Sequence, residues 1–272
     1  MTGEQALAPG QAEPPVLRER HGPVMLITLN RPAHRNAIDL ELRESLAQAV
    51  FEARDAVDVR AVVLTGAGGT FCAGGDLKSL TSEQRSVYMD RERIRRIHRW
   101  LRELVHLEKP VVAAVDGAAF GAGFSLALAC DFVLASPRAT FCAVFGRIGL
   151  VPDMAMFFLL PRIVGLQRAK ELIFSARDLG ADEARQLGIV MDIVPAERLL
   201  DDAMALAARL CEASTEAIGM AKNVLNRAHD LDYDTLAELE SHAQAVARHS
   251  EYHRDAVRAF LEKRPLRLKW QR

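Results

Sequence analysis

Residues 109–132, KPVVAAVDGAAFGAGFSLALACDF, constrain the fold of this chain more than any other stretch. The run opens with β-branched residues, Val111, Val112 and Val115, which suit a buried strand. Asp116-Gly117 breaks that strand, and Gly121-Ala122-Gly123 opens a helix of small residues ending near Cys130. Small residues at a helix start allow close approach of the backbone, and the first N–H groups of a helix have no partner within it. Such donors, at the positive end of the helix dipole, suit an oxygen that is negative or becoming negative.

On either side, strands and helices alternate. Val24–Asn30 (VMLITLN) reads as a strand ended by Arg31-Pro32. After the loop RPAHRNA, Asp39 is a natural N-cap for an amphipathic helix over Leu40–Ala56. Arg60–Thr65 is a second strand, closed by Gly66-Ala67-Gly68-Gly69. That glycine run is not a dinucleotide loop, because G-x-G-x-x-G fails at Phe71 and no helix follows directly. A second glycine-rich turn comes next, FCAGGDL at 71–77, and Thr81–His106 is a polar helical region. Phe132–Ala135 is expected to be a strand that Ala139–Phe145 extends, and Met154–Leu160 a short apolar helix ended or kinked by Pro161. Helices over Leu166–Phe174 and Ala181–Leu187 and an extended link over Ile189–Val194 follow. Only helices are expected after that: Glu197–Glu212, Thr215–Arg227, Tyr233–Arg248 and Glu251–Lys263. Such spacings describe right-handed β/α units around a mostly parallel sheet, followed by a helical region.

A length of 272 residues allows one large domain or two modest ones. Composition, at 50% hydrophobic and 26% charged, is that of an ordinary globular protein. A net charge of −1 argues against a general binder of nucleic acid or of membrane surfaces. Cys72, Cys130, Cys142 and Cys211 have neither CxxC nor zinc-ligand spacing and read as buried free thiols of a reducing compartment. His249 and His253 lie four apart on a helix without a third ligand, so no metal site is expected. The N-terminal MTGEQALAPGQAEPP lacks the basic start and apolar core of a secretory signal, and no apolar run is long enough to span a bilayer. Residues 1–14 are expected to form a flexible tail, and the protein to be cytoplasmic.

Taken together, residues 109–132 and FCAGGDL at 71–77 resemble the crotonase (enoyl-CoA hydratase/isomerase) superfamily. The resemblance runs from about Val24 to about Lys263. It implies an α/β fold: a spiral of ββα units with mostly parallel sheets over 15–195, binding acyl-CoA, then a C-terminal helical trimerisation region over 196–272. It also implies a homotrimer, or a hexamer built as a dimer of trimers. The substrate would be an acyl-CoA thioester, and no cofactor is implied beyond the coenzyme A that is part of it.

The superfamily's shared step stabilises an enolate, or a related oxyanion, at a thioester carbonyl. Two preorganised backbone N–H groups suit that task, each supplying about 3–4 kcal/mol. Motif for motif, the donors would be Gly75 of CAGGD and Ala122 of FGAGF. Many relatives have glycine where Ala122 stands, but a backbone donor needs no particular side chain. Either motif alone is also what a tight turn requires. Hydratases of the family use two glutamates to hold and activate water, at the positions of Ser125 and Phe145 here. Both carboxylates are absent, so ordinary hydratase activity is not expected.

Eight residues beyond Phe145 stands Asp153, in IGLVPD. This resembles the family's isomerases, including dienoyl-CoA isomerases and the ring-opening isomerase of phenylacetate breakdown, in which an aspartate shuttles a proton. Phe145, Met154, Met156, Phe157 and Phe158 would raise the pKa of such a carboxyl and keep water away from it. Asp153 is also fitted to be the N-cap of helix Met154–Leu160, and the two roles can coexist.

For the substrate, the resemblance puts the adenine of a bent CoA at the backbone around Ala73 and the thioester near Gly75. Gly74, Asp76, Leu77, Ser125 and Phe145 would share in binding, with Ala37 lining the same groove. Lys263 matches a family lysine that reaches the nucleotide phosphates, although a lysine ending a helix also offsets the dipole. Arginines of RERIRRIHRWLRE face a similar choice between coenzyme phosphates and solvent. Asp76 is expected to cap the helix after its turn, and Asp131 to hydrogen-bond at the start of a strand. The resulting reading is an enoyl-CoA isomerase with Asp153 as sole acid/base. A divergent hydratase and a catalytically quiet CoA-thioester binder are the alternatives.

Overall fold

The computed structural model describes residues 13–78 and 86–270, so the expected tail over 1–14 lies almost wholly outside the described residues. Strands β1 (Val16–His21) and β2 (Val24–Leu29) form an antiparallel hairpin turned at Gly22, whose φ is 58°. Parallel to β2 run β3 (Ala61–Gly66), β4 (Val111–Val115), β6 (Phe132–Ala135) and β9 (Asp192–Ile193), giving the order β1-β2-β3-β4-β6-β9. A second, three-stranded sheet joins β5 (Ala118–Phe120), β7 (Thr140–Cys142) and β8 (Leu179–Gly180). The expected α/β architecture with a mostly parallel sheet is therefore the one adopted.

Helix α1 (Leu40–Asp55) starts where the sequence indicates, with Asp39 Oδ1 accepting from Leu42 N at 2.9 Å. Helices α2 (Val87–Val105) and α3 (Ala122–Leu128) follow, then α4 (Met156–Val164), α5 (Leu166–Ser175) and α6 (Ala181–Gln186). The chain continues through α7 (Leu199–Leu210), α8 (Thr215–Leu225), α9 (Tyr233–Arg248) and α10 (Glu251–Leu261). Among the described residues no helix is long and apolar enough to cross a membrane.

Every residue of β4 is buried, as in a parallel strand covered on both faces. Its alternate residues serve two different cores. Val111, Ala113 and Val115 pack with Ile27, Leu64 and the buried faces of α1 and α2. Val112 and Ala114 face the other way, with Val24, Leu26 and Val63, against Leu199, Ala203 and Leu206 of α7. An ion pair fixes α8 to the same sheet: the buried Lys222 Nζ donates to Asp131 Oδ2 at 2.7 Å. As expected, Asp131 also hydrogen-bonds at a strand start, accepting from Val111 N at 2.7 Å.

Four details depart from the sequence reading. Strand β1 was not anticipated, since only Val16 of VLRERH is buried and the rest is a polar edge. Residues 140–142 do not extend β6 but pair with β5 in the second sheet. Helix α4 begins at Met156 rather than Met154, because Met154 and Ala155 both take left-handed conformations (φ 49° and 64°). Pro161 lies inside α4, which ends instead at Gly165 (φ 76°). All four cysteines are free thiols, and burial pushes each of them up, Cys72 to about 12.

Candidate active site

The turn at 71–77 is built by backbone bonds on both edges. On one side Cys72 N donates to Ala118 O and Phe120 N to Cys72 O, both at 2.9 Å. On the other, Ile38 N donates to Gly74 O at 2.7 Å and Asp76 N to Ile38 O at 3.0 Å. Gly74 has φ 99°, and a Cβ there would lie 2.8 Å from Phe120 O, so only glycine fits. This pairing turns the N–H of Gly75 away from both neighbours, and it has no hydrogen-bond acceptor among the described residues.

Helix α3 brings the second donor to the same place. A Cβ on Gly123 would sit 2.3 Å from Cys72 O, so the helix packs directly on the first turn. Its N-cap Gly121 (φ 51°) is held by its own N–H to Cys142 O at 2.8 Å. Ala122 is the first helical residue, and its N–H lacks an acceptor among the described residues.

A cavity of about 730 Å³ opens over both turns, a volume typical of small-molecule sites. Of the expected residues, Ala73, Gly74, Gly75, Leu77, Ala122, Phe145 and Asp153 line it. Phe145 comes from a short 3-10 turn, Val144–Ile148, and is 7% exposed. Ala37, Asp76, Ser125 and Lys263 do not line it. Asp76 Oδ1 accepts from Lys78 N at 3.0 Å, consistent with a cap, and its other oxygen faces Arg31 at 3.6 Å. Lys263 is exposed, in a left-handed conformation (φ 54°) just past α10. Ser125 is fully buried behind the cavity, its Oγ donating to Asp153 O at 3.0 Å and Gly121 O at 3.3 Å.

Asp153 is not the N-cap of the following helix. The left-handed pair Met154-Ala155 delays α4, whose N-cap position is Ala155 with no side-chain cap. The carboxylate is left for the cavity: Oδ1 is buried and has no hydrogen-bond partner. Burial pushes the Asp153 carboxyl above its ordinary value, with the charges of Arg93 and His98 acting in the opposite sense.

Two groups at or beside this site go beyond the sequence reading, which passes over Asn36 and singles out no one arginine of RERIRRIHRWLRE. Asn36, fully buried with φ 54°, accepts from Arg31 N at 2.8 Å and donates to Ala67 O and Thr70 O at 2.9 and 2.6 Å. Arg31 in turn donates to Ala37 O at 2.6 Å and meets Asp39 at 2.9 Å, so the loop RPAHRNA braces Ile38 and Asp39, which line the cavity. The other group is the face of α2 carrying Met89, Arg93, Arg96 and Ile97, which also lines it. The signal for it is Arg93, one turn before Ile97 on the stripe that Ile97, Trp100, Leu101 and Leu104 bury.

A second hollow, of about 910 Å³, lies among Arg54, Lys109, Glu216 and Tyr252. Its Lys109 ammonium is committed to Ala53 O, Arg54 O and Ala56 O at 2.6–3.1 Å, closing the C-terminus of α1. Among the described residues no group of three His, Cys, Asp or Glu side chains is placed to hold a metal ion.

Residues 19–271 match the family described as "Enoyl-CoA hydratase/isomerase". The chain is 38% identical over 245 residues to the 1,2-epoxyphenylacetyl-CoA isomerase of Escherichia coli (strain K12), covering 89% of this chain and 93% of that protein. It is 34% identical over 256 residues to a short-chain-enoyl-CoA hydratase of Clostridium acetobutylicum, covering 92% and 96%. Among solved structures, an enoyl-CoA hydratase/isomerase from Cupriavidus metallidurans CH34 superposes with a TM-score of 0.91 at 42% identity, over 96% of this chain and 99% of that one.

Proposed function

Given that the chain belongs to the enoyl-CoA hydratase/isomerase family, we propose that it is an isomerase that shifts a double bond in an enoyl-CoA. The observation that carries this reading is a single desolvated carboxylate, Asp153, whose buried oxygen has no partner in the cavity that two free backbone N–H groups line. In a 3-enoyl thioester the Asp153 carboxylate takes a proton from C2. The electron pair moves into the carbonyl, and the N–H groups of Gly75 and Ala122 hold the resulting dienolate oxygen. Protonated Asp153 then returns the proton to C4 as the carbonyl re-forms, leaving the double bond conjugated. Atoms balance with no water and no added cofactor, and the coenzyme A enters and leaves as part of the substrate.

The wall residues support the same division of roles. Ala73 would meet the adenine, with Gly74 and Leu77 beside the thioester end, and Phe145 closes the cavity where a hydratase would need a second carboxylate. Ser125 acts through Asp153 and not on substrate. The relative named as an isomerase adds support, and the relatives named as hydratases keep hydration by Asp153 alone as a second reading.

A direct comparison of a 3-enoyl-CoA with crotonyl-CoA tests this. Conjugation of the first without change of mass, lost in Asp153→Asn with binding retained, is expected. Gain of one water by crotonyl-CoA at a comparable rate would refute it, and binding of both without turnover would leave a quiet CoA-thioester binder. Assembly as a trimer or a dimer of trimers belongs to the same proposal. Helix α9 buries no residue in the single chain, and Phe260 and Leu261 of α10 are 72% and 75% exposed. Light scattering should return a mass of three or six chains.

A further inference from the structure

The charged groups that line the cavity do not balance. Asp39 is paired with Arg31 at 2.9 Å, and Glu92 with Arg95 at 3.0 Å. Arg147 donates to Ala176 O at 2.7 Å and Asp178 at 2.9 Å, and Arg43 is likewise engaged. That leaves Asp153, Arg93 and Arg96. Arg93 Nε is buried without a hydrogen bond, and its ion pair with the half-exposed Asp90, at 3.7 Å, is too long to supply one. Arg96, three residues on, makes no ion pair with a described residue. Two guanidinium groups thus face one carboxylate.

The excess grows during the reaction proposed above. When Asp153 takes its proton it becomes neutral. Among the described residues Arg93 then keeps only its 3.7 Å pair with Asp90, while the exposed Arg96 keeps only solvent. The Arg93 side chain is 27% exposed, but its buried Nε is an unused donor that an anion in the cavity would complete. The thioester end, near Gly75 and Ala122, already has its donors. Arg93 lines the same cavity from α2, and its charge acts on Asp153. Its place is therefore with the acyl group beyond the reacting carbons.

We propose that the acyl group of the substrate ends in a carboxylate, which Arg93 binds with help from Arg96: the substrate is a mono-CoA thioester of a dicarboxylic acid. The planar fork of arginine matches a carboxylate in two-point fashion. The apolar wall of Phe145, Ile148 and Met154 then packs on the methylenes between the two ends. This inference rests on the reading that the cavity takes a CoA thioester with its acyl end at Asp153, but not on which reaction follows.

Binding of unreactive ligands tests it. Calorimetric titration of the full chain with adipoyl-CoA, hexanoyl-CoA and free coenzyme A compares acyl groups of equal length with and without the carboxylate. Adipoyl-CoA is expected to bind about tenfold tighter than hexanoyl-CoA. Arg93→Met should remove that preference while leaving the other two ligands unchanged, and the exposed Arg96→Met should reduce it by a smaller factor. Equal or tighter binding of hexanoyl-CoA would overturn the inference and leave the thioester reading standing. An equal loss for free coenzyme A in Arg93→Met would assign the arginine to the coenzyme phosphates, which also overturns it. Failure of either acyl-CoA to bind would remove both readings together.

Discussion

Ser125 Oγ donates a 3.0 Å hydrogen bond to the main-chain carbonyl of Asp153, tying the helix that carries one free N–H to the loop that carries the cavity carboxylate. The same carbonyl accepts from Met156 N at 3.2 Å across two left-handed residues, Met154 and Ala155. Non-glycine residues in that conformation are held only where surrounding contacts over-determine them.

Ser125→Ala should therefore lower kcat by about tenfold with little change in KM, since it loosens the placement of the base and touches no substrate. Steady-state kinetics on a 3-enoyl-CoA checks this. A rise in KM with kcat intact would mean that the serine contacts substrate after all.

Asp153 also sets a pH dependence. It acts as a base only when ionised, and burial raises its pKa. Turnover should fall as pH drops through a value above the ordinary carboxylate range, and Asp153→Asn should cost at least about a hundredfold in kcat. Stability runs the other way. A carboxyl whose folded pKa is raised contributes stability below its unfolded pKa, and that contribution is lost as pH rises through the folded pKa. Asp153→Asn should accordingly melt at a higher temperature than the parent at neutral pH, with the gap closing on acidification. Thermal scans across the acid range would show it.

The contact between Gly123 and Cys72 predicts a strong size limit. Gly123→Ala places a methyl 2.3 Å from a backbone oxygen, and should cost about 3 kcal/mol while separating the two N–H groups. Gly149→Ala, with φ 71° but open space around it, should cost only about 1 kcal/mol, and activity should survive. Denaturant unfolding of the two variants separates clash from conformation.

Lys222 and Asp131 offer a test of the ion pair that docks α8. Removing the lysine leaves the partly exposed Asp131 with only its bond from Val111 N, so Lys222→Met should destabilise by about 2 kcal/mol. The double variant Lys222→Met/Asp131→Asn should recover part of that loss.

What was legible in the sequence was what local chemistry decides. The Asp39 cap, the all-buried β4 and the bounds of α9 follow from residues adjacent in the chain. The sheet to which Thr140–Cys142 belongs does not, because a short apolar strand carries no mark of its partner. The non-capping role of Asp153 was hidden for a similar reason: nothing in VPDMAM announces two successive left-handed residues. Asn36 reads as a loop residue, and only the fold shows it fully buried and bonded to Ala67 and Thr70.

The two-faced sheet has a consequence for how this protein is made. Residues 24–135 supply most of its strands, but one face stays bare until residues 199–210 have been synthesised and can settle on it. A nascent chain halted before that point would present Val24, Leu26, Val63 and Val112 as a sticky ledge. Such late closure lengthens the mean loop that folding must span, so this face is expected to be the last part of the core to close.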